Sequence, residues 1–333
     1  MYAITAACSK VLWKALVKSG VDPDSLAIPA QEIEAALASG APIRTAVIYG
    51  LFDEALRQTG NPDLGLLAYH YAHPSVWSPF TYSIMSAPTL GNALERVVEY
   101  HPLISSGSQL FLDRDSAGNL VLHGRELGQL SAPRAFIDAG AALVLALIHW
   151  LEPYHRPMPI RVEFTYPEPE NAARLARLFG PDLVFSARTN ALVFCPSIAE
   201  LPLPTADEAL DALHAERAQH MAHEILNGSV AARVRRLLME LIAAQARPTL
   251  PDIAERLGLS PRSLQNALDR EDTHFKAIAD DCRLRLAHDY LRRSTRSIKY
   301  IATTLGFNDQ SSFHKACLRW FGMSPNRYRA DLG

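Results

Sequence analysis

One pattern, used twice in the last hundred residues, constrains this chain more than any other feature: a short helix with an apolar face, a glycine, then a second short helix with a polar outer face. In LPDIAERLGLSPRSLQNALDR, Leu250, Ile253, Ala254 and Leu257 recur at helical spacing, and Gly258 supplies the turn where the chain leaves the helix. Ser260 is placed to cap the next helix, with Pro261 at its first position, where a missing N–H costs nothing. Leu264 and Leu268 then face inward. Arg262, Ser263, Gln265, Asn266, Asp269 and Arg270 face outward, a set suited to donating to phosphates or reading base edges.

The pattern returns in SIKYIATTLGFNDQSSFHKACLRWF. Ile298, Ile301, Ala302 and Leu305 form the first face, Gly306 the turn, and Asn308 is the expected cap of a helix buried through Phe313, Ala316, Cys317 and Trp320. Asp309, Gln310, Ser312, His314, Lys315 and Arg319 are left outside. Between the two units, His274 to Arg293 contains neither proline nor glycine and predicts one helix of ~30 Å at ~1.5 Å per residue. Successive major-groove faces of a duplex lie ~34 Å apart, so such a connector suits two second helices set against one side of DNA. A single helix pair with a glycine turn is common in ordinary bundles. Two, at this separation, point to a duplex.

Charge agrees. The whole chain of 333 residues carries a formal net charge of -2, but residues 230–333 hold 18 Lys+Arg against 11 Asp+Glu, a net of +7, which leaves -9 on the remainder. A neutral total hides a basic C-terminal part, the asymmetry expected when one domain faces a polyanion.

On these residues the C-terminal hundred resemble the DNA-binding domain of the AraC/XylS family of transcription regulators. The run SIKYIATTLGFNDQSSFHKACLRWFGMSPNRYR is similar to that family's signature throughout, including Gly322, Ser324, Pro325 and Tyr328. The resemblance implies sequence-specific binding to promoter DNA. Asn266, Ala267 and Asp269 depart from the basic residues common in relatives, and Tyr300 from a common acidic one. Fewer cations release fewer counterions, so the first unit is expected to add less nonspecific affinity than the second. Asn266 either pairs with adenine or simply faces solvent.

Before this part the chain reads as α+β, with helices and a small antiparallel or mixed sheet. Helical spacing marks Ile4 to Val17, Val47 to Leu56, Leu90 to Val98 and Ala132 to Leu151. Alternation marks a hairpin, Leu110 and Leu112 against Leu120 and Leu122, around a turn at 115–119 where Asp113 and Asp115 read as turn residues. Further strand-like runs are Ile160 to Phe164, Leu183 to Phe185 and Ala191 to Phe194, with a short helix at Asn171 to Phe179. Leu201-Pro202-Leu203-Pro204 marks a domain edge. The expected division is a sensing and dimerisation domain at 1–205, a helical linker at 206–229, and an all-α DNA-binding domain at 230–333, its helix-turn-helix units at 250–270 and 298–320 joined by a long helix.

The segments SAPTLGNALERVVEYHPLI, IRVEFTYPEP and ARTNALVFCPSIAELPLPTAD resemble the sensor domain, labelled arabinose-binding, of one branch of the same family. That implies a small-molecule effector and a homodimer formed through this part. No Walker loop, dinucleotide fingerprint, His-Glu-x-x-His or Gly-x-Ser-x-Gly occurs, so neither enzyme activity nor a cofactor is expected. His70 and His73, three apart on a predicted helix, have no Cys or carboxylate at ligand spacing, and four scattered cysteines read as free thiols, so no metal is expected. Trp77, Phe80, Tyr82, Tyr100 and His101 read as core rather than pocket. With no signal-peptide pattern and no uninterrupted apolar run of ~18 residues, the expectation is a cytoplasmic protein without a membrane partner. Three readings stay open: an effector-responsive regulator, a regulator whose N-terminal part only dimerises, and an enzyme fused to a DNA-binding domain. A partly polar cavity separates the first from the second; a bound metal or a cluster of perturbed ionisable groups marks the third.

Overall fold

A computed structural model describes residues 2–26, 28, 30–126, 131–271 and 273–332. The chain forms two compact units, Tyr2–Ala222 and His223–Gly333. The division falls inside one helix, within the segment read as a linker.

The N-terminal unit is α+β. In chain order it contains β1 (Ala3–Ile4), α1 (Ala6–Lys18), α2 (Ala30–Ser39), β2 (Ile43–Arg44), α3 (Thr45–Thr59), α4 (Ala68–Tyr71), α5 (Thr81–Met85) and α6 (Leu90–Ile104). There follow β3 (Ser108–Arg114), β4 (Leu120–Glu126), α7 (Arg134–Leu151), β5 (Arg161–Glu163), α8 (Ala173–Phe179), β6 (Leu183–Val184), β7 (Asn190–Phe194) and α9 (Glu208–Gly228). The sheet runs β3-β4-β7-β5-β6, antiparallel except for β5 with β6. Register places Leu112, Leu122, Leu192, Val162 and Leu183 side by side in a row crossing all five strands. This row is the apolar face that alternation predicts, and α7 covers it. By length and composition α7 could cross a membrane, but 56% of that stretch is buried within the protein, as a core helix must be.

Two expectations need correction here. Asp115 does close the turn, accepting from the backbone of Ala117 and Asn119. Asp113 does not belong to it: it is buried on β3, and its Oδ2 meets His123 Nε2 at 2.7 Å across the strand pair. His70 and His73 do not share a helix, because α4 stops at Tyr71 and His73 caps the following 3-10 turn through Ser75 N–H. Among the described residues no group of three His, Cys, Asp or Glu side chains could hold a metal ion.

The first half of α9 packs on the N-terminal unit. Arg96 of α6 holds Asp211 through both terminal nitrogens, keeping that carboxyl below its usual range, and Ala218 joins the core.

A polar lock fixes the start of α7. The Tyr166 hydroxyl donates to Asp138 Oδ1 at 2.5 Å, Arg134 Nε lies 3.3 Å from Asp138 Oδ2, and Arg134 Nη2 donates to Asp63 at 2.7 Å. Burial pushes the fully enclosed Asp138 carboxyl up to about 7, against the pull of Tyr166 and Arg134. A carboxyl whose folded pKa exceeds its unfolded value binds its proton more tightly in the folded state. Its stabilising contribution is therefore full below roughly pH 4 and lost as pH rises toward 7. In melts of Asp138→Asn and the native protein, the variant's Tm relative to native should climb between pH 4 and 7 and level off above; a constant offset would exclude this titration.

Candidate nucleic-acid interface

The C-terminal unit is all-α: α10 (Val230–Ala243), α11 (Leu250–Arg256), α12 (Pro261–Arg270), α13 (Phe275–Arg293), α14 (Ile298–Thr304), α15 (Gln310–Phe321) and α16 (Pro325–Leu332). α11 with α12 and α14 with α15 are the two helix-turn-helix units. They are built alike. Gly258 and Gly306 sit at φ +68 and +79, and in each unit the residue after the glycine returns its N–H to the helix, Leu259 to Ala254 O and Phe307 to Ala302 O, both at 2.9 Å. A left-handed residue is required there, and glycine supplies it without a Cβ penalty.

Caps then start the second helices. Ser260 Oγ accepts from Ser263 N–H at 3.1 Å, with Pro261 at the first helical position. In the second unit the cap is Asp309, not Asn308. Its carboxylate accepts from Ser312 N–H at 2.7 Å and from Ser312 Oγ at 2.9 Å, which holds it below the usual carboxylate range. Asn308 instead accepts from Arg247 Nη1 at 3.0 Å, while Arg247 Nη2 reaches Phe307 O. Gln245 Nε2 also donates to the Tyr300 hydroxyl, so the loop before α11 is tied to the second unit at two points.

α13 is the spine of both units. Its 19 residues span ~28 Å, and Ile278, Cys282, Ala287 and Leu291 are buried. Asp280 accepts from Arg319 at 2.8 Å and from Trp320 Nε1 at 3.2 Å, binding α15. Asp281 takes Arg235 of α10 and Arg285 of its own helix. Tyr328 of the closing SPNRY run meets His288 Nδ1 at 2.7 Å and stacks on Phe321, centroids 4.1 Å apart. Half-exposed ion pairs contribute ~0–1 kcal/mol and a buried Phe or Leu ~1.5–3. Packing of Phe313, Cys317 and Trp320, rather than Arg319–Asp280, therefore seats α15.

Arg262, Ser263, Gln265, Asn266 and Arg270 are all exposed on α12, around buried Leu264 and Leu268. On α15, Gln310, Ser312, Lys315 and Arg319 are exposed and His314 is half-buried. Asp309 and Ser312 are engaged in the cap and Arg319 with Asp280. Ser311 and Leu318, which sequence reasoning passed over, join Lys315 on one exposed stripe; their spacing of four and three residues was the available signal. Leu318 is 52% exposed, unusual for leucine in a helix otherwise well packed.

The N-terminal unit has a partly open cavity of about 150 Å³ between α1, α6, α7 and the sheet. Trp77 and His101 line it, whereas Phe80 and Tyr100 stack in the core 4.3 Å apart and Tyr82 lies 65% exposed. Asp138, Arg134 and Tyr166 do not line it, so the perturbed carboxyl is a packing feature and not a reacting group in a cleft.

Two helix-turn-helix units on one spine, following an α+β domain in the chain, define a two-domain DNA-binding transcription regulator. Residues 20–203 match the family described as the arabinose-binding domain of AraC transcription regulators, N-terminal, and residues 253–331 match a helix-turn-helix domain. The chain belongs to the AraC/XylS family; it is a DNA-binding transcription regulator rather than an enzyme. It is 30% identical over 275 residues to the ornithine utilization regulator of Pseudomonas aeruginosa, covering 81% of this chain and 79% of that protein. It is 35% identical over 103 residues to the regulator VirS of Mycobacterium tuberculosis, covering 29% and 30% of the two chains. The crystal structure of the regulator CdpR from Pseudomonas aeruginosa aligns with a TM-score of 0.48 at 19% identity, over 96% of this chain and 97% of that one.

The caps make a direct prediction. Asp309→Ala should lower the unfolding midpoint of the C-terminal unit, while Asp309→Ser, which keeps an acceptor at the cap, should retain most of it. Equal loss in both, by denaturant titration, would show that the carboxylate acts otherwise.

Proposed function

We propose that this regulator reads two adjacent major-groove segments, one with α12 and one with α15, and that a small effector held in the N-terminal cavity controls it as a homodimer in the cytoplasm. DNA binding is assigned to residues 230–333, sensing and dimerisation to 1–205, and 206–229 to the connection. The observation that carries the reading is the duplication: two second helices with the same turn and outward polar faces, both within residues 230–333, which carry net +7. Arg262, Arg270, Lys315 and Arg319 are assigned to phosphates. Gln265, Asn266, Gln310 and His314 are assigned to base edges, with Ser263, Asp309 and Ser312 holding the helix starts against the duplex.

Dimerisation answers a specificity problem. Two short helices contact few bases, while a bacterial genome offers ~10⁶ or more competing sites. Joining two DNA-binding units makes the second contact intramolecular, worth ~10²–10⁴ in apparent affinity. The acidic remainder of the chain, net -9, suits that role better than contact with phosphates.

Footprinting of the full chain should show protection on one face over about two helical turns; protection of a single groove segment would refute the two-helix reading. Lys315→Ala should weaken binding to every sequence and reduce the salt slope by about one, whereas Gln310→Ala or Asn266→Ala should lose ~1–3 kcal/mol at one base pair. Sedimentation supplies the test of assembly. A monomer at micromolar concentration that still binds paired sites cooperatively would contradict the dimer.

A further inference from the structure

We infer that the N-terminal cavity takes a small, uncharged, mainly apolar molecule of roughly six to ten heavy atoms bearing one hydroxyl or carbonyl group, and not a sugar or a charged amino acid. The inference rests on the effector reading above and names the class of effector.

Size comes first. A cavity of about 150 Å³ equals the engineered apolar cavity known to admit benzene, so a single ring with a short substituent fits. The walls are then decisive. Leu110, Leu122, Leu192 and Val162 rise from one face of the sheet, and Ile137 and Val144 descend from α7. Arg125 and Glu163 border the cavity only as strand neighbours of Gly124 and Val162. Side chains alternate along a strand, so both point to the opposite face, and Glu163 is held there by Arg161 Nε at 2.9 Å. Cys8 adds a thiol that burial pushes up to about 12, hence neutral. A charged ligand would give up its hydration for walls that are mainly apolar, and a polyhydroxylated one would leave most of its hydroxyls unpaired.

One end is polar. Ser105 Oγ and Ser108 Oγ lie 3.0 Å apart, and Ser108 Oγ lies 3.4 Å from His101 Nε2, a short chain of hydroxyls and imidazole. Farther along the same sheet face, Asn190 Oδ1 accepts from Thr165 N–H at 2.9 Å, which leaves its amide nitrogen as a donor. These groups suit one hydroxyl or carbonyl and cannot satisfy many.

Gly140 provides a clean probe. It lines the cavity from α7, and a Cβ added there would meet nothing within 4 Å. Gly140 is exposed, so it stands at the open side of the cavity; Gly140→Leu adds bulk at that mouth without moving backbone, and it replaces a poor helix former by a good one. The native full chain should bind p-cresol and indole saturably in calorimetry at millimolar concentration or below, and not L-arabinose or L-ornithine. Gly140→Leu, with an unreduced unfolding midpoint, should lose the binding at least tenfold. Ser108→Ala should weaken p-cresol severalfold and leave toluene unchanged. Saturable arabinose or ornithine binding abolished by Gly140→Leu would overturn the ligand class and keep the effector reading. Failure of every probe to bind the native chain would overturn both, and equal loss of p-cresol and toluene in Ser108→Ala would overturn the polar end.

Discussion

Everything in the C-terminal unit depends on one helix serving two masters. α13 buries one face from Ile278 to Leu291, and its adjacent acids Asp280 and Asp281 face apart, at ~100° per residue. Asp280 receives Arg319 and Trp320 of the second helix-turn-helix unit, and Asp281 receives Arg235 of α10, on which the first unit packs. The same short stretch of helix therefore meets both halves of the unit, while apolar packing seats the helices themselves. A shared support of that kind is what a two-segment reader of DNA needs, since a slack joint would spend binding energy on ordering the helices.

The stabilising energy and the orienting contacts come from different groups. Apolar side chains such as Val234, Leu238, Ile253, Leu268 and Phe313 are buried and supply most of the stability. The polar ties fix geometry. Glu271 takes the backbone N–H groups of Val230 and Ala231 and the Ser229 hydroxyl, placing a carboxylate at the start of α10 where the helix dipole favours it. Arg247 clasps the turn before α15. Each tie is worth little alone, yet together they select one arrangement among several that apolar packing would tolerate.

In the N-terminal unit the polar contacts at the two ends of α7 stand away from the cavity. At the start of α7, Arg134 meets Asp63 and Asp138, and the Tyr166 hydroxyl donates to Asp138. At its other end His149 donates from Nε2 to Pro157 O and accepts the Tyr69 hydroxyl at Nδ1, a neutral tautomer that burial favours by lowering its pKa. Both ends of α7 are thus held by polar contacts, and its middle is left to line an apolar space.

The sequence by itself determined the elements and their faces. Periods of 3.6 and 2 placed the strands of the five-stranded sheet and most of the longer helices, though not α2 or α10; glycine and cap chemistry located both turns, and the outward residues of α12 were read correctly as exposed. Those features are local, each set by a residue and its neighbours within one turn or one strand. The tertiary structure decided what no local period encodes: that Asp113 is a buried partner of His123, that Arg319 answers Asp280 thirty-nine positions away, and that Asp309 rather than Asn308 caps α15. It also decided that Trp77 and His101 border a cavity while Phe80 and Tyr100 fill the core. An aromatic side chain has the same local signature in a core and in a cavity wall. Only the segments packed opposite it determine whether the space it faces is filled.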